Sequence, residues 1–265
     1  MLVLISLVLC TVNVYGQLEG YWYDFRHVND EVSISPYPFA NTSPSAIGIK
    51  GRVLEVMEIQ YDAQKRFGEF ERTSEGTVTV YKYENNKLVF GLGYELLYNQ
   101  QGQLEKAVKN YNEYILYSYS NGKLQKVEEF KGTELQRMWR IFYQGNNKRI
   151  ERYNWEGKLL FTYIYNNNLL SRIIDSTISN MTMTDTYIYN SAKKLIRINK
   201  EASNSTIVEH QYVYNSYGWV SKYIKYNKVD YQYIYPSIDS KGNWTKRIRD
   251  DYWVKITERI ITYAQ

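Results

Sequence analysis

The stretch YVYNSYGWVSKYIKYNKVDYQYIY, residues 212–235, contains two Tyr-x-Tyr pairs, Tyr212/Tyr214 and Tyr233/Tyr235. Residues two apart share one face of a strand, so each pair places two rings on one side and its middle residue on the other. Asn215-Ser-Tyr-Gly218 follows the first pair with residues that tolerate positive φ, as a tight hairpin turn requires, and the chain resumes at Val220. A period of two excludes a helix and predicts a hairpin.

The pattern recurs outward from this stretch at Tyr81/Tyr83, Tyr117/Tyr119, Tyr163/Tyr165 and Tyr187/Tyr189. Turns come after the pairs at Asn85-Asn86, Asn121-Gly122, Asn166-Asn167-Asn168 and Asn190-Ser191-Ala192, and the chain returns at Leu88, Leu124, Leu169 and Leu195. With 29 tyrosines in 265 residues, this is a repeat, one hairpin per twenty-odd residues, anchored at tyrosines from Tyr61 to Tyr263. The predicted fold class is all-β, an elongated or curled antiparallel sheet of repeated β-hairpins. The middle residues Lys82, Ser118, Ile164, Ile188, Val213 and Ile234 become β-branched toward the C-terminal half, which predicts strands covered on both faces.

These copies resemble the YD repeats of the RHS family over about residues 52–265. The resemblance is best where Tyr233-Ile-Tyr235 leads into Asp239-Ser-Lys-Gly-Asn-Trp-Thr-Lys-Arg247 and then Glu258-Arg-Ile-Ile-Thr-Tyr263, which looks like the closing unit of small exported bacterial YD-repeat proteins. The Tyr-Asp dipeptide survives at Tyr61-Asp62 and is mostly Tyr-Asn elsewhere. The large RHS proteins enclose a toxin and cleave themselves; nothing of that size or kind is present, so neither property is implied.

Residues 1–16 read as a signal peptide: Met1 to Val12 is apolar and uncharged, and Val14-Tyr15-Gly16 suits a cleavage site ahead of Gln17. Cys10, the sole cysteine, lies inside it, so the mature chain would have no thiol for disulfides, metal or nucleophilic chemistry. Residues 17–51 hold Pro36, Pro38 and Pro44 and the aromatic cluster Tyr21-Trp22-Tyr23-Asp24-Phe25, and read as an N-terminal cap with a proline-containing loop before the array of 52–265. No mature stretch approaches the length of a membrane helix. The net charge of +5 is modest, and Lys222, Lys225 and Lys228 among tyrosines read as a solvated strand face, so no nucleic acid is expected.

Signatures of known catalysis are missing: no nucleophile elbow, phosphate loop or His-Glu-x-x-His occurs. His27 and His210 are the two histidines, and His210 reads as a strand-surface or turn residue. Glu128-Glu129 and Asp250-Asp251 are acid doublets whose members face opposite sides of a strand, and Asp239 begins a turn. No catalytic residue, cofactor or metal site is assigned, and an enzyme is not expected. A possible binding surface comprises Tyr187, Tyr189, Tyr212, Tyr214, Tyr233, Tyr235 and Trp244, with ring-on-ring stitching of the sheet as the competing role.

The expected function is an exported, non-catalytic repeat scaffold or binding module of the bacterial envelope. Its partner would be an unidentified protein or glycan, with edge-strand self-association as a further expectation. The alternatives are a carbohydrate-directed carboxylate enzyme and a self- or partner-assembling structural surface protein.

Overall fold

A computed structural model describes residues 25–26, 33–34, 36–177, 182–202 and 205–265. The expected signal peptide, Cys10, His27 and the aromatics at 21–23 lie outside the described residues. Two short strands, β1 (Phe25–Arg26) and β2 (Ser33–Ile34), pair with each other, and a single 3-10 turn spans Pro44–Ile47. Then come β3 (Val53–Arg66), β4 (Glu69–Arg72), β5 (Thr77–Glu84), β6 (Lys87–Gly91), β7 (Tyr94–Tyr98), β8 (Leu104–Asn110), β9 (Glu113–Ser120), β10 (Lys123–Lys131), β11 (Glu134–Gln144) and β12 (Asn147–Asn154). The chain continues through β13 (Leu159–Asn166), β14 (Leu169–Asp175), β15 (Met183–Tyr189), β16 (Leu195–Ala202), β17 (Ser205–Tyr214), β18 (Val220–Lys225), β19 (Lys228–Ile238), β20 (Trp244–Asp250) and β21 (Lys255–Tyr263). From β5 to β21 each strand pairs antiparallel with its sequence neighbour, β3 pairs with β4, and β21 pairs with β3 from Lys255↔Asp62 to Tyr263↔Val53, closing a barrel. Because β3 also pairs directly with β5, β4 stands outside the ring, which has 18 strands. The curled sheet of hairpins expected from sequence is therefore a closed one.

Two turn chemistries build it. Six two-residue turns among the described residues have both residues at positive φ, as at Asn85-Asn86 (48° and 61°) and Asn121-Gly122 (50° and 73°), while Gly132 and Gly145 begin turns in which only the first residue does; both kinds match the right-handed twist of the flanking strands. Longer turns begin with Asn or Asp. At Asn215 the side-chain Oδ1 accepts the backbone N–H groups of Tyr217 and Trp219, both at 3.0 Å, while Gly218 takes φ 85°. Asn99 and Asn154 do the same, as does Asp239, which accepts from Lys241 and Asn243 at 2.9 Å. The repeat's Tyr-Asn is thus one strand residue followed by the residue that organises the turn.

Five tyrosines at or near the ends of strands that run into turns at the first end share one kind of partner. Tyr98, Tyr119, Tyr189, Tyr214 and Tyr235 donate their hydroxyls to the carbonyls of Leu88, Leu104, Leu170, Leu195 and Val220. All five acceptors begin or nearly begin the returning strand of the preceding hairpin, beside the register shifts at Tyr83, Tyr98, Tyr165, Tyr189 and Tyr214. A bulge disrupts the ladder locally, and the phenol supplies a donor there. Lys87 and Lys194 lie over the rings of Tyr98 and Tyr214 while donating to the carbonyls of Gly102 and Gly218.

Rings and branched aliphatics from around the barrel form one buried cluster, in which Val127, Ile150 and Tyr163 have 0% exposure. In a closed sheet the face that converges into one cluster is the lumen. A round barrel of this strand number leaves an aqueous channel, so fully covered inward side chains mean that the lumen around them is filled. Residues 36–51 help fill it: Ile47 and Ile49 join the cluster, Phe39 packs edge-on against Tyr94 at 5.4 Å, and Tyr117 donates to the Pro38 carbonyl at 2.9 Å. Burial pushes the Tyr37 phenol well above its usual range.

The outer face differs from the expected double coverage. Ile164, Ile188 and Val213 point outward, but each stands opposite a basic residue of the returning strand, Arg172, Arg197 and Lys222 respectively. The aliphatic stems of these cations can lie across the branched residues while their heads stay in water. Outward ion pairs such as Arg149–Glu151 at 3.1 Å and Lys126–Glu128 at 2.9 Å give this wall a charged surface, the reverse of the apolar band of a membrane-spanning barrel. One outward patch is covered: the end of β3 folds back through β4, and Tyr61, Ile248, Val254 and Ile256 form a small second core with Phe70.

Candidate functional site

The strands place their turns at two ends. The first end carries the turns at 85–86, 121–122, 167–168, 190–194, 215–219 and 239–243; the second carries those at 67–68, 92–93, 111–112, 155–158, 226–227 and 251–254. Toward the second end the inward face changes character. Where other strands present Tyr or Leu, β3 presents Glu58 and Gln60, β5 Thr77 and Thr79, β20 Arg247 and Arg249, and β21 Lys255 and Thr257. With Tyr81 and Tyr233 these residues line a cavity of about 300 Å³. Their spacing by two puts each pair on one face of its strand.

The site's frame is buried and held. Arg259, the next inward residue of β21, has a side chain 1% exposed; its Nε lies 2.7 Å from Glu58 and it donates to the Ile47 carbonyl at 3.2 Å. Its guanidinium stacks 3.5 Å from the centroid of Trp244, and that of Arg247 lies 4.7 Å from both the Trp244 and Tyr233 rings. Two guanidiniums therefore share one buried indole, an arrangement that fixes planar cations without hydrating them. At the mouth, Arg249 lies 2.9 Å from Asp251 and donates to the Trp253 carbonyl at 3.1 Å, and Lys255 pairs with Asp62. The lining holds three cations, Arg247, Arg249 and Lys255, against one carboxylate, Glu58, which is already engaged by Arg259. Five hydroxyls, from Thr77, Thr79, Thr257, Tyr81 and Tyr233, complete it. Such a set recognises an anion that also offers oxygen atoms for hydrogen bonding.

A second polar cluster lies on the inward faces of β15 to β18. Asp185 pairs with Lys200 at 3.3 Å, and burial raises its carboxyl pKa while Lys200 opposes the rise. His210 hydrogen-bonds the Tyr223 hydroxyl through Nδ1; burial, helped by Lys200 and Lys225, pushes its pKa down to about 4. The reading of His210 as a surface or turn residue is thus corrected: it alternates with Tyr212 and Tyr214 and shares their inward direction.

Of the seven aromatic residues singled out in the sequence, Tyr187, Tyr212, Tyr233 and Trp244 are buried, and Tyr189, Tyr214 and Tyr235 are packed against the core with their hydroxyls committed to carbonyls. Tyr233 is the one that lines the cavity. Glu128 and Glu129 point to opposite faces as expected, each with its own cation, Lys126 and Arg137. Among the described residues no group of three or more His, Cys, Asp and Glu side chains could hold a metal ion. Sequence reasoning missed Arg247, Arg249, Lys255 and Glu58; their signal was polar residues at period two where the repeat elsewhere places rings.

Solved structures similar to the chain include a porin-like protein from Bacteroides vulgatus, with TM-score 0.41, 9% identity, and coverage of 80% of this chain and 99% of that one. A porin-like protein from Bacteroides uniformis has TM-score 0.35 and 10% identity over 84% of this chain and 99% of that one. A TcdB2-TccC3-TEV structure has TM-score 0.37 and 12% identity over 74% of this chain and 13% of that one. No protein-family model and no curated protein matches the chain.

Proposed function

We propose that this barrel is an exported, non-catalytic binding module of the bacterial envelope, kin to YD-repeat proteins, whose lumen holds a small, oxygen-rich anion at its second end. The observation that carries the reading is the cavity lined by Arg247, Arg249 and Lys255 with five hydroxyls, in a lumen whose neighbouring inward positions are packed with rings. A uronate or a sugar phosphate fits this chemistry: its charge meets the cations, and its hydroxyls meet the threonines and tyrosines. Binding is favoured over hydrolysis because a glycosidase needs two carboxylates about 5 to 10 Å apart, and the lining has one acid, Glu58, tied to Arg259.

Titration calorimetry against galacturonate, glucose 6-phosphate and the corresponding neutral sugars tests this. Binding of a charged member, weakened about tenfold or more by Arg249→Gln or Lys255→Gln, is expected. Neutral sugars binding as well as charged ones, or no heat with either anion, would sink the reading, as would consumption of the bound sugar. Fractionation of cells expressing the chain tests export separately.

A further inference from the structure

The two ends of the barrel are built from opposite residues. Each end has one two-residue turn that begins with Gly, Gly145 at the first and Gly132 at the second; of the others, those at the first begin with Asn85, Asn121 and Asn167, whereas those at the second begin with Phe67, Leu92, Tyr111 and Tyr226, all but Tyr111 at positive φ. A left-handed conformation costs an L-residue about 1 to 2 kcal/mol, and Asn bears it better than Phe or Tyr. Leu92 recovers this by packing on the core. Phe67 does not: its relative exposure is 106%, so its ring touches nothing of its own protein. Tyr111, Trp155, Tyr226, Tyr252 and Trp253 are likewise exposed on second-end turns, Tyr111 at 96% and Tyr252 at 90%. At the first end the exposed Tyr217 stacks on Trp219 at 4.9 Å.

We infer that this aromatic rim docks the second end onto the interfacial layer of a zwitterionic lipid bilayer, an inference that stands apart from the ligand of the lumen. Three observations select that partner. The rings stand on turns two to six strands apart around the barrel, roughly 10 to 30 Å at the usual strand spacing. A single sugar cannot bridge such gaps, and a protein hot spot gathers its aromatics into one packed centre, whereas a flat fluid layer meets every tip together. Phe67, Tyr111 and Tyr252 are nearly fully exposed and Trp155, Tyr226 and Trp253 about two-thirds, with Tyr252 and Trp253 meeting edge-on, so the rim offers ring surface for immersion, which suits Trp, Tyr and Phe at the headgroup level. The cations beside the tips are largely matched by acids: Lys65 pairs with Asp250, Arg66 with Glu71, Lys109 with Glu113, Arg249 with Asp251 and Lys255 with Asp62, while Lys158 shares its turn with Glu156, and Lys225, which lies over the Tyr226 ring, and Lys228 are followed by Asp230. The rim is thus close to charge balance and complements a headgroup layer that is itself neutral.

Flotation with phosphatidylcholine vesicles tests the inference, using both the full chain and a form beginning at Gln17, so that an apolar leader cannot supply the binding alone. Both forms should float, undiminished in 0.5 M salt, about as expected for apolar immersion rather than charge attraction. Emission from Trp155 and Trp253, the exposed indoles among the described residues, should shift to the blue and be quenched by brominated acyl chains. Phe67→Ser combined with Tyr252→Ser and Trp253→Ser should weaken partitioning at least about tenfold with an unchanged thermal midpoint, since none of these rings supports the core. Tyr217→Ser at the opposite end should bind as the parent does. Absence of flotation of the Gln17 form, flotation with anionic vesicles alone that salt abolishes, or full binding by the triple variant would overturn the proposal.

Discussion

Asn243 treats the backbone of Lys50 as a neighbouring strand would: its Oδ1 accepts the Lys50 N–H at 2.8 Å and its Nδ2 donates to the Lys50 carbonyl at 3.1 Å. The side chain is 2% exposed, and the two residues are 193 positions apart. Through this clamp the last turn of the first end holds the segment that fills the lumen.

Replacing the buried Asn243 by alanine leaves both Lys50 groups without this partner in a partly buried site. Each unmet buried group costs about 1 to 3 kcal/mol, so Asn243→Ala should lower stability in urea by about 2 to 4 kcal/mol. Limited proteolysis should find residues 36–51 cut earlier in the variant than in the parent.

The tyrosine hydroxyls can be tested singly. Tyr214→Phe keeps the ring and removes the 2.6 Å bond to the Leu195 carbonyl, and should cost about 1 to 2 kcal/mol. Tyr217→Phe, whose ring is exposed, should be silent in the same denaturation series.

Among the longer turns, one is strained in a way the others are not. Gly102, Gly157, Gly218 and Gly242 occupy the left-handed position of their turns, but Lys193 occupies it at φ 60° in the turn from Asn190. Lys193→Gly should raise stability by about 0.5 to 1 kcal/mol, the relief of the left-handed strain less the extra entropy of glycine when unfolded. A thermal melt that falls instead would show that the lysine side chain contributes more than its backbone costs.

Alkali should open the barrel cooperatively. Burial raises the phenols of Tyr37, Tyr83, Tyr117, Tyr212 and Tyr231 well above their usual range, and raises Tyr189 to about 12. An unfolded chain loses these protons near pH 10. The folded chain keeps them, so their contribution is complete below about pH 10 and is lost as pH rises through the folded values. Tyrosinate absorbance should therefore appear in one steep step that coincides with loss of the far-ultraviolet β signal, with a smaller gradual phase from exposed rings.

His210 gives the opposite sign in acid. Its folded pKa is about 4, below the ordinary histidine value near 6.5, so the unfolded chain gains a proton first as pH falls. Stability should be full above about pH 6.5 and decline toward pH 4; the half-buried ring is partly screened by water, so the slope stays below about 1.4 kcal/mol per pH unit. His210→Gln should flatten urea midpoints across that window.

What could be read in the sequence was local. The Tyr-x-Tyr period specified strands, and Asn215 or Asn121 specified turns, because φ preferences and alternation act within a few residues. Closure could not be read, since the pairing of Lys255 with Asp62 joins stretches nearly two hundred residues apart and leaves no local mark. The cavity was hidden for the same reason. Arg247 and Arg249 become lumen residues only once the tyrosine face is known to be the inside, and Ile188 becomes a stem-covered outer residue only once Arg197 is known to lie opposite it.

The seam between β21 and β3 also sets the order in which the molecule can be completed. During synthesis β3 emerges well before β21, the strand that covers its free side. Hairpins can zip one onto the next meanwhile, but both flanks of the growing sheet stay open to other chains until Lys255–Tyr263 arrives. Losing that one strand would leave a sheet with two sticky margins, so a chain cut short before it should polymerise more readily than the whole chain.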